Sequence, residues 1–479
     1  MAKFFITTPI YYVNRTPTIG TAYTTIAADV LARWHRLKGD NVFFLTGLDE
    51  NSIKTLHAAE EKGYKDIQKY ADDMARQWVE IWKKLNISYD GFIRTTEDRH
   101  KGVVVEFFKK VYEKGDIYKG TYKGLYCEGC EAFLTESELE GGLCPLHKKR
   151  PKELSEENYF FRLSKYQKQI LNFIESNPDF IQPESRRNEI ISFLKSGLKD
   201  ISISRPGLRW GIHLPIDKNH RFWVWFDALL NYISGSEGRW PAELHLVGKD
   251  IIRFHCIIWP AMLMSAGYQL PKKVFAHGFL TTGGQKISKS LGHAIEPLYF
   301  AEKYGLDTLR YFLMRHVPFG EDGEFSEEAL IERLNGELVA DLGNLVYRVL
   351  TLAERFDGEI KGKDELSSRL NFEKIDGYME RLEFHHALEE IWTFIKAVNR
   401  YVNEKEPWRL KGNDLANVLY NLLESLRVIA ILIYPFMPGT AEGICQQLGI
   451  RLGTFSELKF GKFKGKPKKG EMLFKKHGQ

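Results

Sequence analysis

The stretch that decides the fold is residues 4–34, which read FFITTPIYYVNRTPTIGTAYTTIAADVLARW. Its apolar start predicts a strand, and a turn at 14–17 then leads through Gly20 into a helix. The apolar residues of that helix recur every four positions, at Ala22, Ile26, Val30 and Trp34. A strand that turns at glycine into a helix directs backbone N–H groups past the carboxyl end of a sheet, where phosphate binds. Taken alone, the pattern fits a nucleotide site and an ordinary α/β unit equally well.

A second stretch, GGQKISKS at 283–290, is a glycine-led loop with two lysines three residues apart. The ammonium groups of Lys286 and Lys289 suit a polyphosphate whose charge must be held while it leaves. By itself the loop also fits a solvated basic turn. The presence of both stretches in one chain favours a site for a nucleotide polyphosphate.

The two stretches resemble the signatures of a known family. PTIGT at 17–21 resembles the His-Ile-Gly-His signature of class I aminoacyl-tRNA synthetases, and KISKS at 286–290 resembles their Lys-Met-Ser-Lys-Ser signature. The sequence between them looks like the methionyl-tRNA synthetase family, from residue 3 to about residue 440. The resemblance implies a ligase that converts methionine and ATP-Mg into methionyl-adenylate and pyrophosphate. The acyl group would then pass to the 3′ end of tRNA(Met).

The fold implied by the resemblance is α/β, with a doubly wound, parallel, Rossmann-like catalytic sheet, an inserted zinc-knuckle domain and an all-α anticodon-binding bundle. A chain of 479 residues has room for two to four domains. We expect the first catalytic half at 1–115, the connective insertion at 116–220, and the second catalytic half with the lysine loop and the stem-contact junction at 221–323. The helical domain is expected at 324–450 and a basic tail at 451–479.

The composition predicts a folded protein without a membrane partner. Hydrophobic residues make up 43% of the chain, and the net charge of +5 leaves no strong nucleic-acid footprint overall. No apolar run reaches the ~18 residues of a membrane span, and the chain enters a strand directly rather than through a signal peptide. We therefore expect a cytoplasmic protein. We also expect a monomer, because the sequence has no appended oligonucleotide-binding domain of the kind that dimerises some relatives.

Three of the five cysteines form a cluster with a histidine, as Cys127-x2-Cys130 followed by Cys144-x2-His147. Three thiolates and an imidazole at two close-paired spacings can close a tetrahedron around zinc. Such a cluster fits a reducing compartment better than a disulfide framework. Three buried cysteines beside a surface histidine are the alternative. Because four protein ligands leave no position for water, we predict a structural site with one zinc per chain, as the family's zinc knuckle also implies.

The substrate site implied by the resemblance is spread over several strand ends. Asp49 follows the predicted strand at 41–46 and should hold the α-ammonium group of methionine, with a helix N-cap as its alternative role. The sheet is predicted to resume at 222–229. The other implied residues of the methionine pocket are Ile10, Tyr12, Trp225, Leu229, Tyr232 and His255. Aromatic walls suit a thioether, and a core histidine is the alternative for His255.

The nucleotide site is implied by the same resemblance. Thr18, Gly20 and Thr21 at the helix start should receive phosphate. Asp250, after the predicted strand at 244–247, should accept hydrogen bonds from ribose hydroxyls. Lys286 and Lys289 should hold the leaving pyrophosphate, and Lys289 should also contact ATP.

The C-terminal part of the chain predicts a helical bundle, because apolar residues between 388 and 433 recur at a spacing of three to four. The resemblance implies that Asn344, Arg348 and Trp408 read the anticodon, by stacking on unpaired bases and bonding to their edges. The tail from 459 onward carries eight lysines against one glutamate. It fits a solvated, partly disordered end or a weak, salt-sensitive contact to phosphate.

The sequence departs from the family pattern at the first signature, where Thr18 and Thr21 replace two histidines. The family's Asp-Glu-His-Gly is likewise replaced by DENS at 49–52. Threonine can donate a hydrogen bond to phosphate but cannot be cationic. Two alternatives therefore stay open: a catalytically weak or silent relative that binds tRNA, and an adenylating ligase that acts without tRNA. The lysine loop argues against the first alternative, and the Asn344, Arg348 and Trp408 set argues against the second.

Overall fold

The first 113 residues alternate strands with helices, as the opening stretch predicts. The computed structural model describes residues 1–130, 132–134, 136–282, 285–286 and 296–478. Helix α1 ends at Gly39, whose φ of +86° favours glycine and stops the helix. The elements of this part are β1 (Lys3–Tyr12), α1 (Ile19–Lys38), β2 (Asn41–Asp49), α2 (Ile53–Glu61), α3 (Ile67–Lys84), β3 (Gly91–Arg94) and α4 (Asp98–Glu113).

The next part, which follows α4, is mostly antiparallel but also supplies one strand to the central sheet. Its long hairpin of β4 and β6 pairs from Ile117↔Phe161 to Tyr126↔Lys152. The elements are β4 (Ile117–Cys127), β5 (Ala132–Leu134), β6 (Lys152–Phe161), α5 (Gln167–Ser176), β7 (Ile181–Gln182), α6 (Glu184–Lys195), β8 (Ile201–Ser202), β9 (Ser204–Pro206), β10 (His213–Leu214) and β11 (Asp217–Phe222).

The chain then completes the core and continues into helices. The elements from here to the junction are α7 (Val224–Ala228), α8 (Asn231–Ser234), β12 (Leu244–Gly248), α9 (Trp259–Ala266), β13 (Val274–His277), β14 (Leu280–Thr282), β15 (Gln285–Lys286), α10 (Pro297–Tyr304), α11 (Leu306–Arg315) and β16 (Gly323–Glu324). The helical part consists of α12 (Glu327–Arg333), α13 (Asn344–Ala353), α14 (Phe372–Glu380), α15 (Phe384–Lys405), α16 (Gly412–Ile433) and α17 (Pro438–Leu448).

The central sheet has six strands in the order β3-β2-β1-β12-β13-β7, and every described pairing in it is parallel. The chain order reverses between β1 and β12. A ligand crevice opens outside the carboxyl ends of the strands at such a reversal. The doubly wound parallel sheet is therefore confirmed. Its edge strand β7 comes from within the inserted region.

The prediction that the sheet resumes at 222–229 is wrong. Strand β11 ends at Phe222, and α7 begins at Val224. The sheet resumes at β12 instead. A short apolar run has no periodicity that separates a buried strand from a buried helix, and the aromatic residues here favoured the strand. The helical geometry of α7 matters for the candidate site, because the side chains of Trp225 and Asp227 both project from this one short helix.

The helical part forms a bundle, as the apolar spacing predicts. Helices α15 and α16 carry its longest buried faces. Among the described helices, α16 alone has the length and apolar composition of a membrane span, and 89% of its most apolar window is buried inside the protein. The core of the bundle is continuous with residues of α1, including Trp34, whose ring lies 4.5 Å from that of Phe455.

The chain after α17 packs back along the bundle instead of forming a disordered end. Phe474 is only 8% exposed. His477 exchanges two backbone-to-amide hydrogen bonds with Asn335, at 2.6 and 3.1 Å, and its ring lies 5.0 Å from that of Tyr304. The tail therefore spans from the end of the bundle to the α10–α12 junction.

Candidate active site, metal centre and RNA-reading face

The start of α1 is capped by the two threonines of the first signature. The Thr18 hydroxyl accepts from the backbone N–H of Thr21 at 3.5 Å. The Thr21 hydroxyl accepts from the backbone N–H of Thr18 at 2.8 Å and donates to its carbonyl at 2.7 Å. The two hydroxyls thus close a capping box. Their first role in this structure is to fix the helix start, which the sequence analysis did not foresee.

Gly20 leaves the surface of the helix start open. A Cβ added there would approach the Thr18 hydroxyl at 3.7 Å, which is ordinary contact. Since the protein itself does not exclude a side chain at this position, glycine instead allows a ligand to approach the backbone closely. The N–H groups of a helix start and its dipole favour an anion at this place.

Two of the residues predicted to bind methionine lie side by side at the carboxyl ends of β1 and β2. Tyr12 and Asp49 are Cα partners in the parallel ladder. Asp49 is 4% exposed. The ring of Tyr12 lies under the Nζ atom of Lys54, at 4.0 Å from its centroid. Ile10 pairs with Gly47 on the same two strands. The structure therefore brings Ile10, Tyr12 and Asp49 to one edge of the sheet.

The remaining residues predicted for the methionine pocket form a largely aromatic cluster beside that edge. Tyr232 is 1% exposed, and its hydroxyl lies 2.7 Å from Nε2 of His255. The ring of Trp225 lies 6.5 Å from the imidazole of His255 in an edge-on arrangement. Leu229 is 1% exposed and belongs to the same buried cluster. The structure thus groups Trp225, Leu229, Tyr232 and His255 in one wall.

The tautomer of His255 follows from its two neighbours. Nδ1 lies 2.9 Å from the carbonyl of Ile251, which can only accept, so Nδ1 carries the proton. Nε2 is then an acceptor for the Tyr232 hydroxyl. Burial lowers the pKa of His255 to about 4. The imidazole is therefore neutral at physiological pH, and the wall presents no charge to an apolar ligand.

A wide turn carries His255 into this wall. Residues Phe254–Ile258 have π-helical geometry, and the N–H of Trp259 bonds to the carbonyl of Phe254, five residues back. Such turns often occur at functional sites. Asp250 precedes this turn, at the exposed carboxyl end of β12, where a ribose hydroxyl is expected to bind.

A buried polar network behind the pocket was missed by the sequence analysis. The side-chain amide of Asn51 donates to Asp227 at 2.8 Å, and Nε2 of His100 lies 2.6 Å from the other carboxylate oxygen. All three side chains are at most 8% exposed. The network ties the end of β2 to α4 and α7. Asn51, one of the departures from the family pattern, thus has a structural role here, and the carboxylate within the aromatic run at 222–229 was the available signal.

The inserted region closes over the same strand end. The indole N–H of Trp210 donates to the carbonyl of Glu50 at 2.6 Å. Glu50 itself is fully buried and pairs with Arg94 at 2.8 Å. The segment between β9 and β10 is therefore anchored beside Asp49 and shields that edge of the sheet.

The lysine loop is described only in part. Lys286 lies in β15, where it pairs with Thr281 of β14. Lys289 lies outside the described residues. The roles of both lysines remain predictions.

The predicted metal ligands converge. Cys127, Cys130, Cys144 and His147 have ligand atoms that all lie within 4.8 Å of one another. Cys130 Sγ lies 3.5 Å from Cys144 Sγ and 3.4 Å from Nδ1 of His147. Four ligands at about 2.3 Å from a tetrahedral centre lie about 3.8 Å apart, so these four residues could hold a metal ion.

Glycine makes the approach of the histidine possible. A Cβ at Gly129 would overlap the imidazole ring of His147. Burial, and then the neighbouring sulfurs of Cys127 and Cys144, raise the pKa of the Cys130 thiol. Three thiolates therefore need a cation in their midst, and this donor set fits zinc.

The residues predicted to read the anticodon lie together on the bundle surface. Arg348 donates to the side-chain oxygen of Asn403 at 3.0 Å, and its guanidinium lies 6.0 Å from the ring of Trp408. Trp408 is 53% exposed. Asn344 is also exposed, one turn before Arg348 on α13. An exposed indole beside a guanidinium and an amide can stack on an unpaired base and bond to its edge.

A second wide turn sets the orientation of this face. Residues Leu334–Gly343, between α12 and α13, have π-helical geometry, and the N–H of Asn344 bonds to the carbonyl of Val339, five residues back. α13 therefore leaves the turn with a different rotation from that of a regular α-helix.

Comparisons with known proteins agree with this geometry. The family model described as tRNA synthetases class I (M) matches residues 4–153 and 137–350, and the model of the anticodon-binding domain of tRNA ligase matches residues 368–472. The fold, crevice and bundle therefore define a class I tRNA synthetase.

The curated relatives identify which member of this class the chain resembles. The chain is 49% identical to the methionine–tRNA ligase of Caldanaerobacter subterraneus subsp. tengcongensis, over 98% of this chain and 78% of that protein. It is 48% identical to the methionine–tRNA ligase of Thermotoga maritima, over 93% of this chain and 75% of that protein. Mycobacterium tuberculosis methionyl-tRNA synthetase in complex with methionyl-adenylate superposes with a TM-score of 0.93 at 38% identity, over 99% of this chain and all of that one. The chain belongs to the methionine–tRNA ligase family.

Proposed function

We propose that this chain is an ATP-dependent, AMP-forming ligase that activates methionine to methionyl-adenylate and transfers it to the 3′ end of tRNA(Met). The observation that carries the proposal is the 49% identity to a methionine–tRNA ligase over 98% of the chain. The site chemistry agrees with it. A crevice with an anion-binding helix start, a buried carboxylate and a neutral aromatic wall suits a phosphate, an ammonium group and a thioether, respectively.

In this scheme the chain acts by positioning and by charge. The N-terminus of α1 at Gly20 and Thr21 receives the phosphates of ATP-Mg, and Asp250 holds the ribose. Asp49 binds the α-ammonium group, which orients the carboxylate of methionine toward the α-phosphate. The neutral His255 and Tyr232 line the side-chain pocket together with Ile10, Tyr12, Trp225 and Leu229. Lys286 and Lys289 stabilise the charge that grows on the departing pyrophosphate.

The helical bundle is the proposed reader of the tRNA. Trp408 stacks on an unpaired base, and Asn344 and Arg348 bond to base edges. The four-ligand cluster holds zinc, which fixes the fold of the connective insertion and leaves no position for a reacting water. The domain bounds proposed from the sequence, at 115, 220, 323 and 450, separate these tasks.

Methionine-dependent exchange of pyrophosphate into ATP tests the first step, and charging of tRNA(Met) tests the second. The parent protein should do both. Exchange without charging would support the ligase that acts without tRNA. tRNA binding without exchange would support the silent relative, and either result would contradict the proposal.

Lys289→Ala tests the lysine loop within the same assay. Removal of a positioned charge typically costs roughly 10²–10³ in rate. The turnover of pyrophosphate exchange should fall by that factor, with little change in the Michaelis constant for methionine. An equal effect on both constants, or none, would contradict the role assigned to Lys289.

A further inference from the structure

The segment 462–469, which we name the lysine strap, displays a row of charge on one side. Phe463, Gly465, Pro467 and Lys469 are half-buried. The residue that precedes each of them is exposed, and all four of these residues are lysines: Lys462, Lys464, Lys466 and Lys468. Burial that alternates with a period of two is the pattern of extended chain with one face packed and one face in water. The strap therefore presents its cations in one line.

Backbone contacts hold this line in place. The N–H of Phe463 donates to the buried carboxylate of Glu424 at 2.7 Å. The N–H of Lys468 donates to the carbonyl of Gln447 at 2.8 Å. The backbone of Lys466 passes so close to Gly449 that a Cβ there would lie 2.7 Å from its carbonyl oxygen. Helices α16 and α17 thus fix the strap by its main chain, which leaves the lysine side chains available.

The strap leads directly to the proposed base-reading face, which consists of Asn344, Arg348 and Trp408. The Nζ atom of Lys469 lies 4.2 Å from the ring centroid of Tyr347, the residue before Arg348. Farther along the tail, Phe474 packs at 3.4 Å from the Cβ position of Gly343, the residue before Asn344. The tail therefore runs beside α13 on the side of the bundle where Asn344 is exposed and Arg348 is half-buried.

The four exposed lysines have no ion-pair partner among the residues that the structure describes. A fixed row of like charges repels itself unless a polyanion neutralises it. We infer that the lysine strap binds the phosphate backbone of the tRNA anticodon stem, beside the bases that α13 and Trp408 contact. This inference rests on the proposed function. Phosphate contacts fix register and orientation without reading sequence, so the strap complements the base-reading face.

The experiment measures the dissociation constant of a tRNA(Met) transcript for the full chain between about 50 and 200 mM salt. The variant K462Q/K464Q/K466Q/K468Q removes the row, and K462R/K464R/K466R/K468R keeps its charge as the matched control. Each lost phosphate contact lowers the slope of log K against log[salt] by about 0.7–0.9. The slope of the glutamine variant should therefore be shallower by about three, and binding at low salt should weaken roughly ten- to hundredfold. The arginine variant should match the parent.

A transcript with an altered anticodon separates the strap from the base readers. The altered anticodon should weaken binding of all three proteins, while the slope difference between the parent and the glutamine variant should stay the same. Pyrophosphate exchange without tRNA should be equal in all three proteins. An unchanged slope in the glutamine variant, or an equal loss in the arginine variant, would overturn the inference. A parent that binds tRNA but shows no exchange would instead overturn the proposed function, with the slope comparison still valid.

Discussion

Asp29 and Arg310 form a fully buried ion pair, with Nη2 of Arg310 donating to Oδ2 of Asp29 at 2.6 Å and neither side chain exposed. Arg310 also donates to the carbonyls of Phe436 and Pro435, at 2.9 and 3.0 Å. Asp29 lies on α1, and the two carbonyls follow α16. The helix that begins at the proposed phosphate site is thereby bonded, through one guanidinium, to the chain of the helical bundle.

Loss of the Asp29 charge should destabilise the whole protein. Breaking a buried pair on one side leaves an uncompensated charge and typically costs about 3–5 kcal/mol. Asp29→Asn should lower the free energy of unfolding by about that amount in denaturant titrations. Asp98→Asn is the control, because the Asp98 side chain is fully exposed and, within the part of the chain that the structure describes, forms an ion pair only with Lys101, at 3.5 Å. Equal stabilities of the two variants would contradict the assigned role.

The same ion pair predicts that the stability of the protein decreases at acidic pH. Burial alone raises the pKa of Asp29, but the charges of Arg310 and Arg33 and the hydrogen bonds of Ser88 outweigh it and lower the pKa below 3.8. A carboxylate with a depressed pKa contributes stability above its unfolded value and loses it as the pH falls through the folded value. This contribution should therefore be complete above about pH 4 and decrease progressively as the pH falls from there through the folded pKa.

The neutral His255 predicts a second pH dependence at higher pH. Its folded pKa of about 4 lies below the ordinary value of 6.5, so protons bind the unfolded state more strongly between those values. His255 should contribute about 3 kcal/mol to a decrease in stability as the pH falls from 6.5 to 4, in addition to the contribution of the buried His245, whose pKa is also lowered. His255→Gln should reduce this decline in denaturant titrations by the part that His255 contributes. Tyr232→Phe should keep it, because burial rather than the hydroxyl lowers the pKa; an unchanged decline in His255→Gln would contradict the prediction.

The metal cluster can be tested through a residue that is not a ligand. Gly129→Ala places a methyl group against the His147 ring and should displace it. Elemental analysis of protein kept away from chelators should give about one zinc per chain for the parent and much less for the variant. Gly102→Ala is the control, since a Cβ there meets nothing within 4 Å. A parent without zinc would refute the metal assignment.

The elements that follow from local patterns could be predicted from the sequence. The four-residue spacing of Ala22, Ile26, Val30 and Trp34 gave α1, and the paired cysteine spacings gave the metal cluster. The Asn51–Asp227–His100 network could not be predicted. Asp227 lies 176 residues from Asn51 and 127 from His100, so only the folded sheet brings them together. The capping role of Thr18 and Thr21 could not be predicted from residue type, because a threonine hydroxyl at a helix start can bond either to the backbone or to a ligand.

The capping box predicts that Thr18 contributes both to the stability of the protein and to the rate of pyrophosphate exchange. Thr18→Ala should remove a cap worth about 1 kcal/mol and lower the rate of pyrophosphate exchange at saturating ATP and methionine. Thr18→Ser keeps the hydroxyl and should behave like the parent. If backbone N–H groups hold the phosphate, Thr18→His with Thr21→His should be equal to the parent or faster, by roughly ten- to a hundredfold at most. Exchange that appears only in the double-histidine variant would mean that the natural chain is a silent tRNA binder.

The proposed base-reading face of Asn344, Arg348 and Trp408 predicts that tRNA binding can be weakened without a change in methionine activation. Stacking of one base on an aromatic side chain is worth about 1–3 kcal/mol. Trp408→Ala should therefore raise the Michaelis constant for tRNA roughly 5- to 150-fold and leave pyrophosphate exchange unchanged. The control is Tyr112→Ala, which removes an aromatic residue that is 43% exposed on α4. It should change neither the Michaelis constant for tRNA nor the rate of pyrophosphate exchange. A loss of exchange in Trp408→Ala would indicate a structural role instead.

Because the wide turn at Leu334–Gly343 precedes α13, the orientation of the proposed base-reading face depends on the number of residues in this turn. Each residue of an α-helix advances the rotation by roughly 100°. A single-residue insertion or deletion that leaves this turn as wide as it is would rotate α13 by about that angle relative to α12. Asn344 and Arg348 would then face a different neighbour although every side chain in the face is unchanged. The alignment of this face with the rest of the proposed tRNA surface therefore depends on the number of residues in the turn as strictly as on the identity of the side chains in the face.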